Sequence, residues 1–192
     1  MTNAHAHAVP ALYGERSWTA IHGCAVAELS AMLGTAMGLS SRRVQRLRLA
    51  GALHDVGKTL ISQAILEQPG PLTPQQWAMV RLHPVLSEQM LIGEGMLDLA
   101  PWVRSHHERF DGLGYPDRFA GAEIPIEARI LAVADAYDAM VSERPYSGAM
   151  PPDEAREELV MGAGSQFDPR VVAIFTRCLE RSGSAKPEAV LA

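Results

Sequence analysis

The sequence predicts an all-α fold, a single helical bundle, and three observations carry that prediction. Apolar and polar residues never alternate over a strand-length run, so no sheet is expected. Stretches rich in Ala, Leu and Met, such as 18–37 and 127–141, have the length of ordinary helices. Pro and Gly fall between those stretches, where helices start and stop. A length of 192 residues suits one domain with a sizeable core. That domain is expected over 15–182, with flexible tails at 1–14 and 183–192.

The elements follow in order. Trp18 to Met37 reads as a long helix with Gly38 as its stop signal. Ser40 or Ser41 caps the next helix, which carries Leu47, Leu49, Ala52 and Leu53 into His54-Asp55. Ile61 to Leu66 is a short segment closed by Pro69-Gly70-Pro71. Thr73 caps a further helix with Pro74 at its first position, running to about Leu91. Asp98 to His107 reads as helix, and Glu108 to Pro125 as a loop dense in Gly, Pro, Asp and aromatics. Helices then fit Glu127 to Val141, Pro152 to Met161 and Pro169 to Arg181.

Composition excludes several classes. With 47% hydrophobic and 20% charged residues the chain reads as a soluble globular protein. A net charge of -5 argues against a protein that coats nucleic acid, which would be basic. A small phosphorylated ligand needs only a few local cations. Only Lys58 and Lys186 are lysines among the 17 basic residues, so Lys58 stands out. No run approaches the roughly 18 to 20 apolar residues of a membrane span. The first ten residues lack the basic and apolar regions of a signal peptide. Cys24 and Cys178 cannot build a disulfide framework and suit a reducing, cytoplasmic setting.

The histidines carry the chemistry. Of seven, His5 and His7 fall in the expected N-terminal tail. The others are His22, His54, His83, His106 and His107, with Asp55 and Asp135 as accompanying carboxylates. Imidazole plus carboxylate without thiolate is a ligand set for a divalent ion such as iron or manganese. Adjacent His54 and Asp55 point about 100° apart, so the imidazole can serve one ion while the carboxylate bridges to a second. The pair His106-His107 can supply two nitrogens. Asp135 lies in Ile-Leu-Ala-Val-Ala-Asp-Ala-Tyr-Asp, where an unpaired carboxylate would be costly and a metal accounts for it. Asp138, one turn on, suits a ligand, a support for a ligand, or a group facing phosphate. Each residue alone has an ordinary explanation, such as a core histidine at His22 or a helix cap at His54-Asp55. Their joint arrangement points to a metal-dependent hydrolase.

The string Leu53-His54-Asp55-Val56-Gly57-Lys58, followed by His106-His107-Glu108-Arg109-Phe110-Asp111-Gly112-Leu113-Gly114-Tyr115-Pro116, resembles the HD-GYP family of the HD hydrolase superfamily. Pro69-Gly70-Pro71-Leu72-Thr73, Ala132 to Met140, Arg144-Pro145-Tyr146 and Phe167-Asp168-Pro169 add to the likeness, which spans about residues 18 to 178. A bare His-Asp pair is weak, whereas the long second string is specific. The resemblance implies a buried binuclear metal site and a phosphodiesterase of the bacterial messenger cyclic di-GMP, giving pGpG and then GMP. It implies the ligands His22, His54, Asp55, His83, His106, His107 and Asp135 for two divalent ions, iron or manganese. Asp55 is the bridge, and Asp55 with Lys58 the catalytic pair. Lys58, Tyr115 and Arg144 match positions that contact substrate phosphates. Gly114 belongs to the substrate loop, and Asp138 matches a position that assists in some members.

The implied chemistry is attack by hydroxide held between two ions roughly 3.5 to 4 Å apart. Lys58 and Arg144 would offset charge on the phosphate oxygens. Tyr115 is left either to hydrogen-bond a phosphate or to stack on guanine, and Glu108 and Asp111 to orient the loop or the ligand histidines.

The chain also departs from the pattern. Trp18 stands where some members carry a Glu that permits a third metal, which favours two. Ala25 replaces a frequent Arg without clear consequence. The family usually joins this domain to a sensor, and only about 17 residues precede the first helix. The chain therefore reads as a stand-alone enzyme or an excised domain. A cyclic-dinucleotide sensor that binds protein partners through the GYP loop, a homodimer, and a phosphodiesterase for cyclic GMP-AMP stay open. A (p)ppGpp hydrolase is disfavoured by the GYP loop.

Overall fold

Caps and proline positions account for most helix boundaries in the computed structural model, which describes residues 18–143 and 148–181, the Trp18 side chain apart. The expected tails and Arg144 lie outside the described residues. Helix α1 (Trp18–Ala36) is followed by α2 (Ser41–Leu53), whose Ser40 cap accepts from the Arg43 amide at 3.4 Å. A 3-10 turn (Val56–Leu60) and α3 (Gln63–Leu66) lead to α4 (Pro74–Val80). There Thr73 and Gln76 form a reciprocal capping box. Next come α5 (His83–Gly93), α6 (Ala100–Arg104), a 3-10 turn (Gly121–Glu123) and α7 (Ile126–Val141). The last two are α8 (Pro152–Met161) and α9 (Pro169–Arg181). Among the described residues the only β feature is an isolated bridge between Ala163 and Phe167.

Two expected helices are corrected. The stretch 74–91 is not continuous but breaks at Arg81–Leu82. Pro84 has no amide hydrogen to give the Val80 carbonyl and its ring crowds that turn, so the helix must restart. The stretch 98–107 is helical only over Ala100–Arg104, with a turn through His106 and His107.

α7 is central. Ile130, Leu131, Val133 and Ala134 are fully buried as it packs on α1, α6, α8 and α9. α9 presents Val171, Val172 and Phe175 inward, and Phe175 meets Tyr137 of α7 edge to face with ring centroids 5.0 Å apart. The broadest helix contact is α1 on α2. It is close because Gly51 abuts the Ala27 backbone, where a Cβ would come within 2.8 Å. That closeness, with the 3-10 turn seated on α5, gathers α1, α2, α5 and α7 around one polar cluster.

Candidate metal centre

Three ligand-type histidines sit just past helix ends and reach back to carbonyls of those last turns. His54 Nδ1 donates to the Gly51 carbonyl at 2.7 Å, His83 Nδ1 to Val80 at 2.7 Å and His106 Nδ1 to Val103 at 2.5 Å. The Val80 carbonyl is the one that Pro84 cannot serve. With the hydrogen on Nδ1, each ring keeps its lone pair on Nε2, which faces the cluster.

Those lone pairs converge on one carboxylate. His83 Nε2 lies 3.2 Å from Asp55 Oδ1, His54 Nε2 3.3 Å from Asp55 Oδ2, and the His83 and His106 Nε2 atoms 3.4 Å apart. Both His54 Nε2 and Asp55 Oδ1 are buried without a hydrogen-bond partner. An unmet buried acceptor costs about 1–3 kcal/mol. Facing lone pairs repel unless a cation stands among them, so the donor set fits a metal.

All seven expected ligands fall in three overlapping groups with ligand atoms within 4.8 Å of one another. Asp55 belongs with His83, His106 and His107 and also with His22 and His54; His54, His106 and Asp135 form the third group. Asp55 is thus the carboxylate that two nitrogen sets share.

Charges follow the same geometry. Burial alone would raise the Asp55 carboxyl, but Lys58 and His54 outweigh it and hold it well below the usual range. Lys58 Nζ sits 2.5 Å from Asp55 Oδ2 and is about a quarter exposed, so it can face a ligand. Burial holds His106 well below its ordinary pKa and His107 down to about 3, leaving both neutral. His22 is the opposite case. Burial disfavours its charge, yet Asp135 at 3.0 Å and Asp138 at 2.6 Å outweigh that and raise it to about 9.

Two residues expected on the substrate side have close partners within the protein. Asp138 is buried, one oxygen taken by His22 Nδ1 and the other by the Ser142 hydroxyl at 2.9 Å, so it orients His22. Gly114 is buried against its own chain: a Cβ there would sit 2.3 Å from the Arg109 nitrogen and 2.5 Å from the Glu108 Cα. Its close approach packs the loop on itself. Glu108 orients that loop too, accepting from the amides of Asp117 at 2.6 Å and Arg118 at 3.0 Å.

Tyr115, seated by this loop, stacks on His107 with centroids 5.0 Å apart and planes 25° apart. The Arg81 guanidinium carbon also lies over its ring, 5.3 Å from the centroid. Arg81 and Ser87 escaped the sequence reading. Ser87 Oγ accepts the Gly57 amide at 2.8 Å and fixes the turn that carries Lys58. Neither carries a spacing signal; the His83-Pro84 break that positions both was the available clue.

Residues 6–171 match the family described as HD domain, and with the His54-Asp55 pair and the GYP loop in place the chain belongs to the HD-GYP family. It is 37% identical over 155 residues to the cyclic di-GMP phosphodiesterase response regulator RpfG of Xanthomonas campestris pv. campestris, covering 79% of this chain and 41% of that protein. It is 36% identical over 160 residues to the 3′3′-cGAMP-specific phosphodiesterase 2 of Vibrio cholerae, covering 82% of this chain and 31% of that one. Its fold resembles Bd1817, an HDG"Y"P protein from Bdellovibrio bacteriovorus, at a TM-score of 0.69 and 21% identity, over 84% of this chain and 52% of that one. The chain spans less than half the length of these two curated relatives. No helix among the described residues is long and apolar enough to cross a membrane.

Proposed function

We propose that this chain is a metal-dependent phosphodiesterase that hydrolyses cyclic di-GMP to pGpG, GMP or both. The observation that carries the reading is the convergence of the His83 and His54 Nε2 lone pairs, 3.2 and 3.3 Å from the Asp55 carboxylate, whose Oδ1 is buried without a hydrogen-bond partner. His22, His54, Asp55, His83, His106, His107 and Asp135 would hold two divalent ions, iron or manganese, with Asp55 between them. Divalent ions bound there supply Lewis acidity toward a phosphate oxygen and toward water.

The chain's own groups do the rest. Nδ1–H bonds to backbone carbonyls keep three imidazoles in the ligating tautomer. Lys58, held by Asp55 and partly exposed, offsets charge growing on the equatorial phosphate oxygens. The Tyr115 hydroxyl offers a hydrogen bond at the rim, and Arg144 a second cation for phosphate. The two free cysteines suit a cytoplasmic setting. A protein partner at the GYP loop would meet Leu113, which is 77% exposed.

The Vibrio cholerae relative named for 3′3′-cGAMP supports a second reading, in which that mixed dinucleotide is the preferred substrate. One assay separates the readings. Protein purified without oxygen and loaded with Mn²⁺ or Fe²⁺ is given each dinucleotide, and products are followed in time. Cyclic di-GMP is expected to be consumed faster, and Asp55→Ala to abolish turnover. No turnover of either substrate by the loaded wild type would overturn the proposal. Fewer than about one ion per chain would overturn the binuclear site.

A further inference from the structure

Arg81 caps the C-terminal end of α4, two residues before His83. Its guanidinium carbon lies 5.3 Å from the Tyr115 ring centroid and 6.0 Å from that of Trp77. A guanidinium over aromatic rings makes cation–π contact through its charge without using its N–H donors, which can still serve an anion. Among the described residues no carboxylate is paired with it, whereas Arg104 and Arg109 are both held by acids. The Tyr115 ring under Arg81 stacks in turn on His107 of the ligand cluster, which puts this cation one ring outward from the centre. Trp77, 49% exposed, continues the same wall.

A cyclic dinucleotide carries two phosphodiesters, each with one negative charge. Lys58, against Asp55, serves the one that is cleaved. We infer that Arg81 is the cation for the other, uncleaved phosphodiester. The assignment rests on the cyclic-dinucleotide reading above and makes Arg81 a residue that selects cyclic dinucleotides over small diesters.

The test uses Arg81→Met, which keeps a long apolar chain against both rings, and Arg81→Lys, which keeps charge without the fork. Metal-loaded proteins are assayed with cyclic di-GMP and with bis(p-nitrophenyl) phosphate, a diester with a single phosphate. Affinity for a non-hydrolysable phosphorothioate cyclic di-GMP is measured by calorimetry. Losing a charge-assisted contact should raise KM and Kd for the dinucleotide about tenfold to a hundredfold in Arg81→Met. Its kcat should stay within about threefold, since the contact acts on binding and not on the reacting phosphorus. Arg81→Lys should recover part of the loss. The ratio of kcat/KM between the dinucleotide and the small diester should fall at least about tenfold.

An equal fall for both substrates would overturn the assignment and make Arg81 a brace for Tyr115. An unchanged KM for the dinucleotide would overturn it as well. Wild type that cleaves the small diester yet neither binds nor cleaves a cyclic dinucleotide removes the substrate reading itself, and the role of Arg81 with it.

Discussion

Replacing Gly57 with alanine tests how the cluster is held together. A Cβ at Gly57 would sit 2.4 Å from the His83 carbonyl oxygen, 2.6 Å from the Ser87 nitrogen and 2.9 Å from the Leu86 Cβ. The first two are backbone atoms of α5 and cannot rotate aside, so the 3-10 turn must lift away from the helix. That movement stretches the Gly57–Ser87 hydrogen bond of 2.8 Å and separates Asp55 from His83. Overpacking costs about 1–3 kcal/mol, and the weakened buried hydrogen bond adds about 1 kcal/mol. A total near 3 kcal/mol lowers Tm by roughly 6 to 12 °C in a domain of this size. Gly93→Ala, with no atom within 4 Å of the new Cβ, is the control. It should be neutral, or stabilising by up to about 1 kcal/mol. The assay is thermal melting by circular dichroism without metal, followed by metal analysis after loading. A Gly57→Ala protein that melts within about 2 °C of wild type and loads metal fully would refute the reasoning.

Two further outcomes are expected. Asp138→Ala should lower metal affinity about tenfold to a hundredfold by freeing the His22 ring; an unchanged metal Kd with a raised substrate KM would return Asp138 to substrate contact. In the metal-free protein His22 is raised to about 9, so at pH 7 it carries a proton that a metal must displace. His106 and His107 are already neutral and release none. Apparent affinity should therefore rise with pH through neutrality and flatten above about 9, with proton release visible by calorimetry in buffers of different ionisation heat. Binding without proton release at pH 7 would contradict this.

Local chemistry made much of the fold readable. Ser40 and the Thr73/Gln76 box mark helix starts through contacts three residues long. Pro152 and Pro169 open α8 and α9 where the pattern places them. The break between α4 and α5 was equally local, since Pro84 faces Val80, but the helical pattern on both sides masked it. The ligand types were readable as well, because buried imidazole and carboxylate are rare without a purpose.

What each ligand touches was not readable. The contact of His22 with Asp138 joins residues 116 apart in sequence, and it exists only because α1 crosses α7. The surroundings of Asp138 and Gly114 were hidden for that reason: in space one backs His22 and the other packs on Glu108. Arg81 is an ordinary arginine until the loop lays Tyr115 beneath it. The sequence by itself determined the helical class, most helix starts and the side-chain types of the polar cluster, which depend on neighbours within a turn or two. Only the tertiary structure decided which groups share Asp55, which support them and that Arg81 lies over Tyr115, because those depend on how helices and loops cross.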